Sequence, residues 1–557
     1  MSWLDWLIVF ILNGSVIAYG FYLARNTKTS SDWFLGGRSL PWWALGLSIF
    51  ATSVDNADAV SLTGYAFNNG MHVITVFTMA SVAGAVLASF VVVPVLYRGG
   101  FYTNAEYLET RYGKSLRTIS ALIQIQYRTT MLGLMIWSIF LMLQGILEIT
   151  PVQSWAVIVL LVIFTAAYTT WGGLTSVVWT DALQSLIMMA AGITIFRAVW
   201  VASGGWAETV QKLSQSTDAN GQPLINWLHI GQFQDSQATS PYLIVIGWTI
   251  IGLGYYTVNH TQTMRLMGAR SEWDMKMATL FGCLLIMPII IGTALMGVMG
   301  RVLVPEFTEH SSADQLFPYF ANQYLAPGFK GLVVAGLLSA AISTFDSIGS
   351  ALSALFTRDI YASWICTNQS EKHYLKVTRW ATVGILMMGF LYIPFIARFD
   401  NMIKALQTLI PIFVTPLFTI YLVGVITRVP RQAGLLGLIT GSLFGLLGFV
   451  DRELMDLTWV SPMLTEKWYA FPSSMIVTTL AMFAAVLRWG WLAKDDSTTQ
   501  AEIGDSVESN WLAQSSLELR ELKASAPSKP IPQYLNPNWY AIVLFAISCW
   551  IVFGFFW

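Results

Sequence analysis

Residues 40–66 read Leu-Pro-Trp-Trp-Ala-Leu-Gly-Leu-Ser-Ile-Phe-Ala-Thr-Ser-Val-Asp-Asn-Ala-Asp-Ala-Val-Ser-Leu-Thr-Gly-Tyr-Ala. The flanks are apolar enough, and the stretch long enough, to cross a bilayer, which takes about 20 residues of helix. The centre is different. Ala51-Thr-Ser-Val-Asp-Asn-Ala-Asp58 sets two carboxylates and an amide at mid-membrane depth, where polar groups are costly unless they line a site enclosed by protein. A second run, Gly252-Leu-Gly-Tyr-Tyr-Thr-Val-Asn-His260, interrupts another apolar span in the same way. Paired interruptions of this kind point to two discontinuous helices with a binding site between them.

The rest of the chain supplies the membrane setting. Of 557 residues, 55% are hydrophobic and only 11% charged, less than half the roughly 25% of soluble domains. The 24 Trp, 21 Tyr and 32 Phe suit the headgroup level of a lipid bilayer. A formal net charge of −1 argues against nucleic acid as a partner. Cys283, Cys366 and Cys549 are far apart and show no metal spacing. Hydropathy predicts fourteen helical spans, near 3–24, 40–66, 71–97, 118–147, 153–171, 181–203, 241–264, 277–302, 328–357, 377–397, 403–427, 432–450, 470–489 and 538–557. The first lacks a basic lead and a cleavage site, so it reads as a retained span rather than a signal peptide.

Lys and Arg are unequally shared between alternate loops. Clusters such as Arg98–Arg117, Arg265–Lys276 and Lys372–Arg379 fall on one side; scattered residues such as Arg197, Lys212, Arg301 and Lys330 fall on the other. The positive-inside rule then places both termini outside and the segment 490–537, rich in Ser, Glu, Lys and Pro, in the cytoplasm as a flexible linker.

Four segments carry a resemblance. They are Ser31-Asp-Trp-Phe-Leu-Gly-Gly-Arg-Ser-Leu-Pro-Trp-Trp43, Asn104-Ala-Glu-Tyr-Leu-Glu-Thr-Arg-Tyr-Gly113, Trp171-Gly-Gly-Leu-Thr-Ser-Val-Val-Trp-Thr-Asp181, and Ser343-Thr-Phe-Asp-Ser347 followed by Arg358-Asp-Ile-Tyr361. In this order the sequence resembles the sodium:solute symporter family, which includes sodium-coupled sugar, proline and sialic acid carriers. The resemblance implies an all-α LeuT-type fold of two inverted five-helix repeats, residues 40–203 and 241–427. An N-terminal helix and loop (1–39), an extracellular loop (204–240), two further helices (428–489), the linker 490–537 and a last helix (538–557) complete the expected organisation. The expected location is the cell membrane.

The resemblance also implies sites. Sodium would be held by the carbonyls of Ala51, Val54 and Ala340 and the hydroxyls of Ser343 and Thr344. Positions 340, 343 and 344 share one helical face, and a hard cation takes about five oxygens by analogy with other hard ions. Alternatively, the two hydroxyls bond back to the preceding turn. Asp181, Asp346 and Ser347 would form a possible second sodium site; otherwise Asp181 is interfacial and Asp346 a structural partner. The solute would meet Ser53, Asp55, Asn56, Asp58, Tyr255, Tyr256, Asn259 and Gln262, with Arg128 where sialic acid carriers place a carboxylate-binding arginine. Two acids stand where sugar carriers show Ser and Gln, which suits an amine-bearing solute, unless Asp55 or Asp58 merely neutralises Arg128. His260 is a lining residue or a proton-coupling group, and Met131, Met135 and Met142 read as packing. The sequence holds no paired His/Glu metal motif, nucleophile elbow or phosphate loop, so an enzyme is not expected. The expected activity is sodium-coupled symport of a sugar or polyol, an amino acid or a carboxylate; the alternative is a sensor or sodium leak on the same fold.

Overall fold

The computed structural model describes residues 1–25, 29–217, 221–231, 240–307, 312–397, 402–451, 468–492 and 533–557. Most of the expected linker 490–537, and part of the loop 204–240, lie outside the described residues. The principal helices are α1 (Trp3–Ala24), α2 (Trp42–Ser53), α3 (Asn56–Asn69), α4 (Thr78–Gly99), α5 (Lys114–Leu147), α6 (Pro151–Ala202), α7 (Pro241–Val258), α8 (His260–Met267), α9 (Glu272–Leu303), α10 (Phe329–Leu355), α11 (Glu371–Leu391), α12 (Met402–Ile426), α13 (Arg431–Phe449), α14 (Ala470–Trp489) and α15 (Pro537–Phe555). Among the described residues, eleven helices are long and apolar enough to cross a membrane.

The expected break in the first core span is present, and two other spans differ in detail. The span 40–66 is divided: Val54 (φ −117°, ψ 96°) and Asp55 (φ −102°, ψ 178°) are extended between α2 and α3. The span 241–264 is divided at Asn259 (φ −66°, ψ 107°), whereas Gly252 to Thr257 stay helical. The apolar neighbours of those residues sustain the helix, so the second break is narrower than the polar run. The spans 153–171 and 181–203 are joined without the expected loop in the 52-residue α6. At about 1.5 Å per residue, α6 is more than twice as long as the roughly 30 Å hydrocarbon core. It turns at Gly173 (φ 57°, ψ −160°), where a Cβ would sit 2.6 Å from the Trp33 carbonyl oxygen. Only glycine fits there, and the contact joins the 31–43 and 171–181 motifs.

Outside the repeats, α1 is tied to α10. The Asp5 carboxylate accepts from the backbone N–H of Gly328 at 2.7 Å and of Gly331 at 2.8 Å, which satisfies the free donors at the start of α10. One turn before the expected sodium ligands, Asn13 donates to the Ala335 carbonyl and accepts from Ser339.

Between the repeats, packing is reciprocal. The first helix of one repeat, α2 with α3, packs on the second helix of the other, α9. A Cβ on Gly282 would lie 3.1 Å from the Gly46 carbonyl oxygen, and one on Gly297 would overlap the Thr63 carbonyl. Likewise α7 packs on α4: a Cβ on Gly252 would lie 2.5 Å from the Ala80 carbonyl, and one on Gly84 would overlap Gly252. The 104–113 and 358–361 motifs meet in one buried cluster. There Arg358 donates to Glu106 at 2.6 Å, and Arg117 donates to Asp359 and to Glu109, both at 2.5 Å. Arg117, counted above with the loop cations, and Arg358 are therefore buried in ion pairs.

Candidate functional site

A helix that stops needs partners for the N–H groups of its successor. Here α3 finds them in itself. In an unbroken helix the Asp55 N–H would donate to the Ala51 carbonyl, and the Asp58 N–H to the Val54 carbonyl. Instead, Asp55 N–H donates to the Asp58 carboxylate at 3.1 Å, and Asp58 N–H donates to the Asp55 carboxylate at 2.9 Å. This reciprocal capping box releases the very carbonyls, Ala51 and Val54, that the resemblance assigns to sodium. It also gives the two acids a local structural role that an amine-bearing solute is not needed to explain.

Across from this break lies α10. Thr52 Oγ1 on α2 is 3.4 Å from Ser347 Oγ on α10. Thr344 donates its hydroxyl proton to the Ala340 carbonyl at 3.0 Å, and Ser343 donates to Asp181 at 2.6 Å. The bond back to the preceding turn is thus present for Thr344 and absent for Ser343. Both hydroxyl oxygens keep lone pairs for a cation, since each has passed its proton elsewhere.

Asp181 lies inside α6, eight residues past the turn at Gly173, and is 0% exposed. It accepts from Ser48 at 2.5 Å and pairs with Arg265 at 2.9 Å. Arg265, counted above among loop cations, is 1% exposed on α8; it also donates to Ser48 at 2.7 Å and to Ser347. A guanidinium therefore bridges two of the three residues expected to form a second sodium site. The third, Asp346, accepts from the Tyr168 hydroxyl and from Ser347.

The expected solute residues divide into a connected group and outliers. Gln262 donates to Ser53 Oγ and to the Tyr255 hydroxyl, both at 3.2 Å, and Tyr255 donates to the Thr52 carbonyl at 3.2 Å. The Arg128 guanidinium, 3% exposed, lies 5.9 Å from the Tyr255 ring centre. Among the described residues Arg128 makes no ion pair within 4.0 Å, so the expected neutralising pair with Asp55 or Asp58 is not a direct contact. Its Nε and Nη2 lack hydrogen-bond partners, as do Asn56 Oδ1, Asn259 Nδ2 and Gln262 Oε1. Asn56 is anchored by donating to the Met135 carbonyl at 3.1 Å. Tyr256 turns to α9, where its hydroxyl accepts from Cys283 at 3.8 Å. His260 is buried with Nδ1 3.3 Å from Thr263 Oγ1. Met131, Met135 and Met142 are buried in the hydrophobic core.

Comparisons with known proteins agree with this architecture. The chain is 25% identical over 502 residues to a sodium/glucose cotransporter of Vibrio parahaemolyticus, covering 86% of this chain and 90% of that protein. It is 23% identical over 447 residues to a sodium/sialic acid symporter of Aliivibrio fischeri, covering 78% and 86%. Human sodium/myo-inositol cotransporter 2 is 24% identical over 516 residues, covering 85% and 74%. In structure, a substrate-bound, outward-open sodium-coupled sialic acid symporter superposes with a TM-score of 0.74 at 21% identity, covering 87% of this chain and 98% of that one. The LeuT-type fold is thereby shown. The model of the sodium:solute symporter family matches residues 33–441, which spans both broken helices, three of the four motifs and all but the first two residues of the other, so this chain belongs to that family and is a multi-pass membrane protein that couples solute symport to sodium.

Proposed function

We propose that one sodium ion is held by the carbonyls of Ala51, Val54 and Ala340 and the hydroxyls of Ser343 and Thr344. The observation that carries this is the capping box: Asp55 and Asp58 take up each other's N–H groups, which frees the carbonyls of Ala51 and Val54 beside α10. A single sodium is favoured because the negative charge of Asp181 already has a buried cation, Arg265. An intramembrane acid needs one such partner. A second sodium at Asp181, Asp346 and Ser347 would have to displace that guanidinium.

The cargo is a small polar organic solute bearing a carboxylate. Arg128 supports this reading, since two of its donors are buried and unmatched and a guanidinium pairs with a carboxylate through two parallel bonds. Asn56, Asn259 and Gln262 offer further unmatched polar atoms for hydroxyls or an amide. Sodium entry at 100 mV contributes about 2.3 kcal/mol, and a tenfold gradient roughly 1.4. One sodium then supports about 500-fold accumulation of a neutral or zwitterionic solute. Both termini lie outside, the 490–537 linker is cytoplasmic, and the chain performs transport without chemical catalysis.

Uptake into proteoliposomes across labelled sugar acids, amino acids, sugars and polyols, with and without a sodium gradient, tests this. Sodium-driven uptake confined to carboxylate-bearing solutes is expected. Uptake of neutral sugars alone would refute the role given to Arg128.

A further inference from the structure

The second break has its own freed backbone groups, and they are not satisfied from within. In a continuous helix the Val258 carbonyl would accept from Gln262 N–H, and His260 N–H would donate to the Tyr256 carbonyl. Gln262 N–H instead donates to the Asn259 carbonyl at 3.0 Å. The Val258 carbonyl accepts from Asn104 Nδ2 at 2.6 Å, and His260 N–H donates to Gln124 Oε1 at 3.2 Å. Asn104 and Gln124 also bond each other, amide to amide, at 3.3 and 3.2 Å. Both side chains are buried. Asn104 opens the short helix Asn104–Tyr112, two residues before Glu106 and its ion pairs, and Gln124 belongs to α5. One amide pair thus holds both sides of the break from two other helices. Every residue of α8 is buried, so the half-helix is fully docked in this state.

We propose that Asn104 and Gln124 are positioning residues that pin the α7–α8 break closed, and that solute release requires this pin to let go. Alternating access moves the broken helices against their surroundings. When α8 leaves α5, the Val258 carbonyl and His260 N–H exchange the pin for water. The pin therefore sets how often α8 opens. It does so whichever oxygens hold sodium and whatever the solute is. The 104–113 motif acquires a role in this way: its helix carries the pin, and the Glu106–Arg358–Arg117 cluster fixes that helix to the segment Phe356–Ile365 that follows α10 and to α5.

The test is hydrogen exchange of the full-length protein in lipid bilayers, without sodium and over a titration with sodium alone. Asn104→Asp keeps the shape but removes the donor to Val258; Gln124→Asn shortens the reach to His260. Each variant is expected to speed amide exchange across 256–267 about five-fold, as for one lost hydrogen bond, with α5 and α10 and the melting temperature unchanged. Asn104→Ala/Gln124→Ala should be little worse than either single alanine variant, as for one interacting unit. The length-conserving swap Asn104→Gln/Gln124→Asn should restore slow exchange. Parental exchange in both single variants, equal speeding throughout α5 and α10, or no recovery in the swap would overturn the proposal.

Discussion

The capping box at the first break makes a prediction that separates two roles for the same acids. If Asp55 and Asp58 serve to divert N–H groups from Ala51 and Val54, then Asp55→Ala lets Asp58 N–H return to the Val54 carbonyl and close the helix over it. Losing an N-cap costs about 0.5–2 kcal/mol, and the competing backbone bond gains about 1 kcal/mol. The open carbonyl geometry is then disfavoured by roughly 1.5–3 kcal/mol, a rise of about 10- to 150-fold in the sodium concentration for half-maximal uptake. Asp55→Asn is the discriminating control. Asparagine caps as well as aspartate, so it should leave sodium half-saturation within about two-fold, although it removes the charge. The assay is a sodium titration of initial uptake in proteoliposomes at saturating solute. If Asp55→Ala keeps the parental sodium dependence, or if Asp55→Asn is as damaging as Asp55→Ala, the capping argument fails and the acids act through their charge.

Other variants address the neighbouring groups. Ser343→Ala and Thr344→Ala should each raise the half-saturating sodium concentration about ten-fold or more, as for the loss of a charge-assisted contact; parental sodium curves for both would displace the proposed ion site. Arg128→Gln should abolish uptake of a carboxylate-bearing solute while sodium-dependent protection from thermal unfolding persists, measured by a melting-temperature shift on adding sodium. Arg265→Gln strands the buried Asp181 carboxylate at a cost of about 3–5 kcal/mol; sodium activation should steepen as a second sodium replaces the guanidinium, and Asp181→Asn in the same chain should restore the parental slope. The Glu106–Arg358–Arg117 cluster predicts an acid limb in stability. Burial alone would raise the Glu106 carboxyl, but Arg358 and Arg117 outweigh it and hold it below its ordinary value of 4.5. The stabilisation is then complete above that value and lost as pH falls through the lowered one. The melting-temperature difference between the parent and Glu106→Gln should be constant from neutral pH to about 4.5 and shrink below it.

Much of the fold was legible because the bilayer makes polarity conspicuous. Thr52, Ser53, Asp55 and Asn56 could not sit in lipid, so the first break was visible from composition alone. The exact site of the second break was not, because Gly252 and Gly254 are tolerated inside a packed helix and only the Asn259 cap ends it. Trp171-Gly-Gly173 falls where one predicted span ends, and the positive φ of Gly173 marks the kink between the two helical arms of α6. The Asp55-x-x-Asp58 spacing is itself a capping signature; assigning the acids to a solute hid it. Arg265 and Asn104 were missed for a different reason. Their partners, Asp181 and Val258, lie 84 and 154 residues away, and no local pattern encodes such distances.

The glycine contacts between the repeats carry a mechanical consequence. With no room for even a methyl group between Gly252 and Ala80, or between Gly297 and Thr63, α7 cannot tilt without carrying α4, nor α2 and α3 without α9. Each travelling couple draws one member from each half of the sequence. Neither half can therefore rock independently, and an ion that settles the first break exerts its leverage on the second through shared backbone contact rather than through the solute.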